Sequence, residues 1–581
     1  MRRPRKQAFR APRLPVLHPI AIIMTELRSP TLPNLANDEQ MFPKLTPAQV
    51  ARIAARGRKR PIHQGELLVE QATTELPFFV VLSGEIEAVR PTGTEETFVT
   101  AVGPNQFTGE VTVLTGRRAL VRLRVSQSGE VIELNRENLL ALVQGDSELS
   151  EIFMRAFILR RLRLVAEGLG DVVLVGSRYS AGTLRIKEFL MRNSHPYSYI
   201  DLERDPDVEN LLEHFKIGPK DIPVVICRGT LVLRNPSNRE VADCLGFNDA
   251  IDQTQVRDLV VVGAGPAGLA AAVYGASEGL DVLVLETESP GGQAGSSSKI
   301  ENYLGFPTGI SGQELAGRAY AQAEKFGAHV VIARAAGRLA CATKPYVVEV
   351  DENLKISGRA VVIASGVEYR KLPIANLARF ENAGIYYAAT FLEAQLCGDS
   401  EVVVVGGGNS AGQAAVFLSQ TAKHVCVVIR GACLAKTMSR YLIRRIEETQ
   451  NISVHPRMEI AALEGGDRLE CVQWRNNQTG ETKMHATRHL FLMTGAVPNT
   501  RWLDGCVALD EKGFIKTGSD LSQDDLKAGL WPLTRPPHPF ETSLPGVFAV
   551  GDVRCGSVKR VSSAVGEGSV AISFVHQALR E

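Results

Sequence analysis

The chain has 581 residues, 44% of them hydrophobic and 22% charged, with 65 Lys and Arg against 64 Asp and Glu. One hydrophobic core rarely serves beyond about 300 residues, so this length implies about three to four domains. A formal net charge of +1 gives no global field for nucleic acid, and no apolar run reaches the roughly 18 residues that a membrane span needs. The nine cysteines are scattered and nowhere spaced as C-x-x-C. That argues against a disulfide framework and against a zinc site, and for a reducing, cytoplasmic compartment.

Arg2, Arg3, Arg5, Lys6, Arg10 and Arg13 all precede the first acid, Glu26. An acid-free, Arg-rich start also fits a transit peptide, but residues 1–45 are read as a disordered extension that contains a second start at Met24. Residues 46–60 open with Thr46, suited to capping a helix, and carry small and apolar residues at helical spacing. From His63 to Leu134 short runs of β-formers alternate with Gly, Pro and Asn, the pattern of a small antiparallel barrel. Within it lie Phe107-Thr108-Gly109-Glu110 and Thr115-Gly116-Arg117-Arg118-Ala119.

On those residues the segment 46–167 resembles a cyclic nucleotide-binding domain. The resemblance implies that Gly109 and Glu110 open a phosphate-binding cassette, with Glu110 on the ribose 2'-hydroxyl and Arg118 on the cyclic phosphate of a cyclic nucleotide. A bidentate cation and exposed N–H groups suit a phosphate. A barrel kept as a docking or dimerisation module, with Glu110 and Arg118 as an ordinary ion pair, is the competing reading. Glu151 to Val165 alternates apolar and basic positions at helical period and is expected to close the barrel.

Asp171 to Phe247 starts with the strand 171–176, then a helix 182–192, a strand 197–202, a helix 207–215, a strand at Ile222-Pro223-Val224-Val225-Ile226 and a hairpin. This order resembles a thioredoxin or glutaredoxin fold over 168–250, which implies a cis bond at Pro223. That family carries C-x-x-C after its first strand, where this chain has Ser177-Arg178-Tyr179-Ser180. A hydroxyl cannot exchange a disulfide, so a spacer or docking role is expected. Cys227 is expected to be a core residue.

Leu259 to Glu286 reads as a βαβ unit. An apolar run ends in Gly263-x-Gly265-Pro266-Ala267-Gly268, a small-residue helix follows, and a second apolar run closes on Glu286. The first glycine makes the tight turn, the second admits a pyrophosphate, the third lets helix pack on strand, and the acid accepts from ribose hydroxyls. Further motifs follow at Gly291-Gly292-Gln293, Ile300-Glu301-Asn302, Ile363-Ala364-Ser365-Gly366, Pro498-Asn499-Thr500 and Gly546 to Arg554. On these, residues 256–581 resemble the low-molecular-weight thioredoxin reductase family. The resemblance implies an FAD domain, 256–372 and 498–581, with an NAD(P)H domain, 373–497, inserted in it. It places Gln293 and Asn302 near the isoalloxazine and has Asp552, after Gly551, bond the ribitol. Lys559-Arg560-Val561 would start a helix that supports charge on the reduced flavin.

The second fingerprint is Gly406-Gly407-Gly408-Asn409-Ser410-Ala411, and its strand ends at Arg430, where an NAD site would offer an acid. Arg430, with Lys436 as a second cation, favours the 2'-phosphate of NADPH. The family's redox C-x-x-C is missing: Ile385-Tyr386-Tyr387-Ala388-Ala389-Thr390 holds no cysteine. Cys397 and Cys555 are expected to be passive thiols.

The expected architecture is thus multidomain: a β-barrel, an α/β thioredoxin-like domain and two Rossmann-like α/β three-layer domains, for FAD and for NADPH. The expected function is hydride transfer from NADPH to FAD and on to a small-molecule or protein acceptor that reaches the flavin directly, with the barrel as regulator. The catalytic group is the flavin itself. The alternatives are thioredoxin-disulfide reduction with a partner's thiols and a redox or ligand sensor without turnover. No nucleic acid, membrane or metal partner is expected, and the reductase resemblance implies a homodimer.

Overall fold

A computed structural model describes residues 38–581 except 75, 93–94, 168–171, 179, 204–220, 228–230, 352–353, 382, 467, 504 and 530. Of the extension 1–45 expected to be disordered, residues 1–37 lie outside the described residues, as does the expected helix 207–215, while 38–45 depart from the expectation: they hold the helix Asp38–Met41, and Met41 and Leu45 are buried. The chain divides into two compact units, one formed by described residues up to 113, 118–142 and 147–167, the other by 114–117, 143–146 and the rest to 581.

In the first unit the helix Pro47–Ala54 is capped as the sequence suggests. Thr46 Oγ1 accepts from Gln49 N at 3.3 Å and Gln49 Oε1 from Thr46 N at 2.8 Å. The strands Arg58–Ile62, Arg122–Leu134, Phe78–Thr92 and Glu95–Val102 pair antiparallel in that order, and Leu67–Val69 pairs with Arg122–Leu134. The expected barrel is therefore an open sheet among the described residues, with no ladder joining first strand to last. Its apolar face is covered by the helix Ser147–Ala166 instead: Phe153 and Phe157, one turn apart, pack at 4.8–6.1 Å on Phe78 and Phe107.

The second unit contains five described sheets. A four-stranded sheet has Val172–Gly176 between the parallel Ser198–Asp201 and the antiparallel Val224–Cys227, with Leu231–Arg234 at the edge. The Ile222–Pro223 bond is cis. A seven-stranded sheet has Val256–Val262 at its centre, parallel to Val282–Glu286 on one side and to Leu354–Ile363 on the other. Val260, Val261, Leu283 and Val284 have no exposure, because helices cover one face and an antiparallel extension the other. Val367–Tyr369 and Ala496–Pro498 pair as a two-stranded link into the inserted domain. There the parallel order is Ile385–Tyr386, His489–Leu492, Glu401–Val405, His424–Ile429, Ile452–Pro456. A three-stranded antiparallel sheet, Met458–Glu464, Cys471–Asn476 and Thr482–Ala486, covers one face of it.

Candidate functional site

The strand Val256–Val262 runs into Gly263, whose φ is +106° and where a Cβ would fall 2.3 Å from Ala364 O. Only glycine makes that turn. Gly265 is the N-cap of the helix Pro266–Ser277, with no side-chain cap, and a Cβ there would meet nothing nearer than Gly292 Cα at 4.0 Å. The space in front of this helix end is thus open, and its free N–H groups and positive dipole end face into it. Ala267 and Gly268 are buried behind it, and a Cβ on Gly268 would fall 1.8 Å from Gly263 O.

Glu286 ends the next strand and is buried. Its Oε2 accepts from Ala264 N at 2.7 Å, and its Oε1 from Glu288 N at 2.9 Å and Ser289 N at 3.3 Å. Burial raises its pKa against those hydrogen bonds. The acid that the sequence assigns to a ribose therefore also pins the glycine turn. A carboxylate accepts about four hydrogen bonds, so these three leave room for a ribose hydroxyl. Ser289 is 1% exposed, and its Oγ has no partner among the described residues. An orphaned hydroxyl beside the open helix end is what a polar cofactor would satisfy.

Gly291 N donates to Ala264 O at 2.7 Å, which lays the second glycine segment, Gly291 and Gly292, beside the first. Gln293 spends its amide on Val367 O, and Asn302 is exposed on the loop beyond. The C-terminal segment closes on the same place. Gly551 N donates to Glu567 Oε2 at 2.7 Å, and burial raises the Asp552 carboxyl pKa, opposed by Lys559. Lys559 Nζ donates to Asp552 O at 2.5 Å and sits 4.7 Å over the Phe514 ring. Arg560 is the N-cap and Val561 the first residue of the helix Val561–Ala578, again without a side-chain cap. A Cβ on Gly568 would fall 2.1 Å from Ala267 O, so this helix and Pro266–Ser277 pack backbone to backbone.

The inserted domain repeats the arrangement. Gly406 follows the strand Glu401–Val405, Gly408 is the uncapped N-cap of the helix Asn409–Leu418, and a Cβ on Gly408 would meet nothing within 4 Å. Asn409 Oδ1 accepts from Ser439 N at 2.7 Å and Thr437 Oγ1 donates to Gly407 O at 2.6 Å, a brace the sequence did not reveal because it lies thirty residues downstream. Ser410 is exposed and Ala411 buried. Arg430, past the strand His424–Ile429, and Lys436 are both exposed.

Cys227 lies in the core as expected, but the expectation against disulfides is corrected. Cys227 is bridged to Cys244, and Cys341 to Cys506, at separations of 17 and 165 residues. Spacing cannot reveal such pairs, since the fold brings them together. The first bridge belongs to the four-stranded sheet and its helix Asn238–Leu245. The second packs on the face of the seven-stranded sheet opposite the Pro266–Ser277 helix. Among the five free cysteines, Cys397 is buried with its thiol pKa pushed well up by desolvation. Cys555 lies just past Asp552, and burial and the neighbouring Asp510 raise its pKa.

The first unit holds a cavity of about 100 Å³ lined by Val69, Leu76, Ala88, Leu123, Gly109, Glu110 and Arg160 among others. Glu110 is buried, accepts from Thr112 N at 3.2 Å and from Thr112 Oγ1, and pairs with Arg161 at 3.4 Å. The ion-pair reading of Glu110 with Arg118 is thereby corrected: the cation on Glu110 is Arg161, supplied by the helix one turn behind Phe157. Arg118 is half-buried outside the cavity lining. Arg160 donates to Met41 O at 2.9 Å and Gly109 O at 2.7 Å between the Phe42 and Phe107 rings, while Nη2 has no partner among the described residues. Burial pushes its pKa down to about 9. The basic stripe of this helix gave no sign that two of its arginines face inward.

The family described as pyridine nucleotide-disulphide oxidoreductase matches residues 257–568, and the cyclic nucleotide-binding domain matches residues 59–146. The chain is 32% identical over 330 residues to a thioredoxin reductase of Streptomyces clavuligerus, covering 55% of this chain and 92% of the relative. It is 29% identical over 331 residues to the thioredoxin reductase of Bacillus subtilis, covering 57% and 97%. Among solved structures, Lactococcus lactis thioredoxin reductase superposes with a TM-score of 0.50 at 26% identity, covering 56% of this chain and 99% of that one.

Proposed function

This chain belongs to the pyridine nucleotide-disulphide oxidoreductase family, and from that membership we propose that it passes hydride from NADPH through FAD to an acceptor that reaches the flavin directly. FAD, held between the two uncapped helix ends, supplies a carrier that accepts a hydride and returns two electrons.

The residues supply position and charge. The N-terminal turn at Gly265 and Pro266 takes the pyrophosphate, Glu286 a ribose hydroxyl, and Asp552 the ribitol. The N-terminus at Arg560 and Val561 puts its positive end where negative charge gathers on reduction. In the inserted domain, Gly408 and Asn409 take the second pyrophosphate, and Arg430 and Lys436 the 2'-phosphate of NADPH.

One observation carries the choice of acceptor. Two glycine loops stand open for nucleotides, yet neither bridged cysteine pair contributes a residue to them and the remaining cysteines are single. Tyr387, where the family's dithiol is expected, stacks on Tyr369 at 6.3 Å and donates its hydroxyl to Glu381 at 2.7 Å. An internal dithiol relay to thioredoxin therefore has no sulfur pair to run through. Anaerobic stopped-flow mixing of the FAD-loaded protein with NADPH tests the reading: the oxidised flavin band should bleach, and the reduced protein should not reduce thioredoxin. An unbleached band would leave a sensor without turnover, and rapid thioredoxin reduction would restore the disulfide route.

The N-terminal unit is read as a sensor for a cyclic nucleotide acting on this reaction. The match over residues 59–146 and the buried Arg160 in the cavity lining, its Nη2 without a partner among the described residues, support it. The cavity, about 100 Å³, is smaller than the roughly 300 Å³ at the low end of ligand sites, so binding must widen it.

A further inference from the structure

The parallel sheet of the inserted domain carries a set of soft donors at the end away from its glycine loop. Glu401 begins one strand and His424 its neighbour, paired in register, whereas the loop at Gly406 follows the far end. Side chains alternate along a strand, so His424 and Cys426 share one face. Ser453 and His455 share the same face of the next strand, with Cys426 opposite Ser453. The antiparallel sheet laid over that face adds His485, stacked on Trp474 at 4.2 Å, and His455 meets the same indole at 4.8 Å.

The donor atoms converge. Cys426 Sγ lies 3.6 Å from Glu401 Oε1, His485 Nε2 lies 2.6 Å from the same oxygen, and all three fall within 4.8 Å of one another. That short His485–Glu401 approach lacks hydrogen-bond alignment, and His485 Nε2 is a buried nitrogen with no hydrogen-bond partner among the described residues. A cation at that shared point would take the imidazole nitrogen, the carboxylate oxygen and the sulfur together.

The geometry points to a zinc(II) site formed by Glu401, Cys426 and His485, with water in the fourth position. Zn–S near 2.3 Å and Zn–N or Zn–O near 2.0–2.1 Å give tetrahedral edges of roughly 3.3–3.6 Å. The Cys426–Glu401 separation already matches, and the Glu401–His485 pair must open by about 0.7 Å. Thiolate with imidazole and carboxylate selects zinc over the oxygen-loving cations. Binding exchanges the Cys426 thiol proton for metal and releases one proton to solvent.

The surroundings fit. Ser453 Oγ lies 2.8 Å from His424 Nε2, 2.9 Å from His455 Nε2 and 3.8 Å from Cys426 Sγ. With its single proton given to Cys426 Sγ, the Ser453 hydroxyl accepts from both imidazoles, and the trio steadies the sulfur from behind. The expected absence of a zinc site rested on C-x-x-C spacing, and these ligands come from residues 25 and 59 apart in sequence.

The test uses the full-length, FAD-loaded protein, stripped with a chelator and titrated with Co2+ and then Zn2+. One equivalent of Co2+ per chain should bind, with tetrahedral d–d bands at longer wavelength than the flavin and a sulfur-to-metal band that Zn2+ bleaches by displacement. Cys426→Ser should lose the sulfur band, His485→Gln should bind at least tenfold more weakly, and Cys433→Ser, at an exposed cysteine, should match wild type. X-ray absorption on zinc-loaded wild type needs no variant and should give one sulfur at about 2.3 Å beside lighter neighbours at about 2.0 Å. Failure of the folded protein to retain either metal, retention by Cys426→Ser and His485→Gln equal to that of wild type, or a sulfur-free shell would overturn the site.

Discussion

Arg192 Nη2 donates to the carbonyl of Gly292 at 2.8 Å, so the end of the helix Ala181–Arg192, in the segment read as thioredoxin-like, grips the glycine turn beside the flavin site. Arg192 Nη1 lies 3.3 Å from Glu288, Asn193 Nδ2 donates to Glu288 O at 3.3 Å, and Gln313 Nε2 donates to Met191 O at 2.6 Å. The segment read as a spacer or docking module is fastened to the Gly291-Gly292 turn.

A charge-assisted hydrogen bond contributes about 1.5–3 kcal/mol. Arg192→Ala should therefore weaken FAD affinity at least about tenfold, read by flavin fluorescence on dilution, because Gly292 is freed. An unchanged dissociation constant would mean that the grip does not reach the cofactor.

The two glycines of the first turn should fail differently. At Gly265 a methyl has room in the protein, so Gly265→Ala should fold with unchanged circular dichroism but lose FAD to the methyl in the pyrophosphate's place. At Gly268 a methyl would overlap Gly263 O, so Gly268→Ala should lower expression and melting temperature before any cofactor is added. If both variants fold and both bind FAD, the pyrophosphate lies elsewhere.

Coenzyme preference should turn on Arg430 and Lys436. Replacing Arg430 by Ser removes a cation from the 2'-phosphate and should raise KM for NADPH about tenfold while leaving NADH nearly unchanged. Steady-state oxidation of each coenzyme with an artificial electron acceptor reads the ratio directly. An equal rise for both would assign Arg430 to a general role.

Glu110→Gln should weaken cyclic nucleotide binding to the N-terminal unit at least tenfold in titration calorimetry. It removes the carboxylate charge that pairs with Arg161 and turns one acceptor inside the cavity into a donor. Saturating cyclic AMP or cyclic GMP should change the wild-type rate of NADPH oxidation. Identical rates with and without both nucleotides would make the unit a docking module.

Lys187 supplies a pH signature. Its ammonium lies 3.0 Å over the Tyr199 ring, and burial lowers its pKa from 10.5 to about 8. Between those values the unfolded chain holds a proton that the folded chain has released, so this group makes stability rise with pH from about 8 to 10.5. The difference in melting temperature between wild type and Lys187→Met should grow across that window and be flat below it.

Both dinucleotide loops were legible because their glycines, flanking strands and the closing Glu286 or Arg430 are contiguous, and their chemistry is that of the local backbone. The helix cap at Thr46 was legible for the same reason. The barrel was not. The apolar alternation of Phe78–Thr92 and its partners fixes which face is buried, but whether strand or helix covers that face depends on Phe153 and Phe157, some seventy residues on.

The amino-acid order by itself determined two nucleotide-binding βαβ units and the lack of a dithiol in the segment 385–390, because each is written in neighbouring residues. Only the tertiary structure decided that Arg161 holds Glu110, that Arg192 reaches the Gly291-Gly292 turn, that Cys341 meets Cys506, and that Glu401, Cys426 and His485 share one point. Each of these joins strands or helices separated by tens of residues. Contact at that range is set by how sheets and helices pack on a common core, which no local pattern encodes.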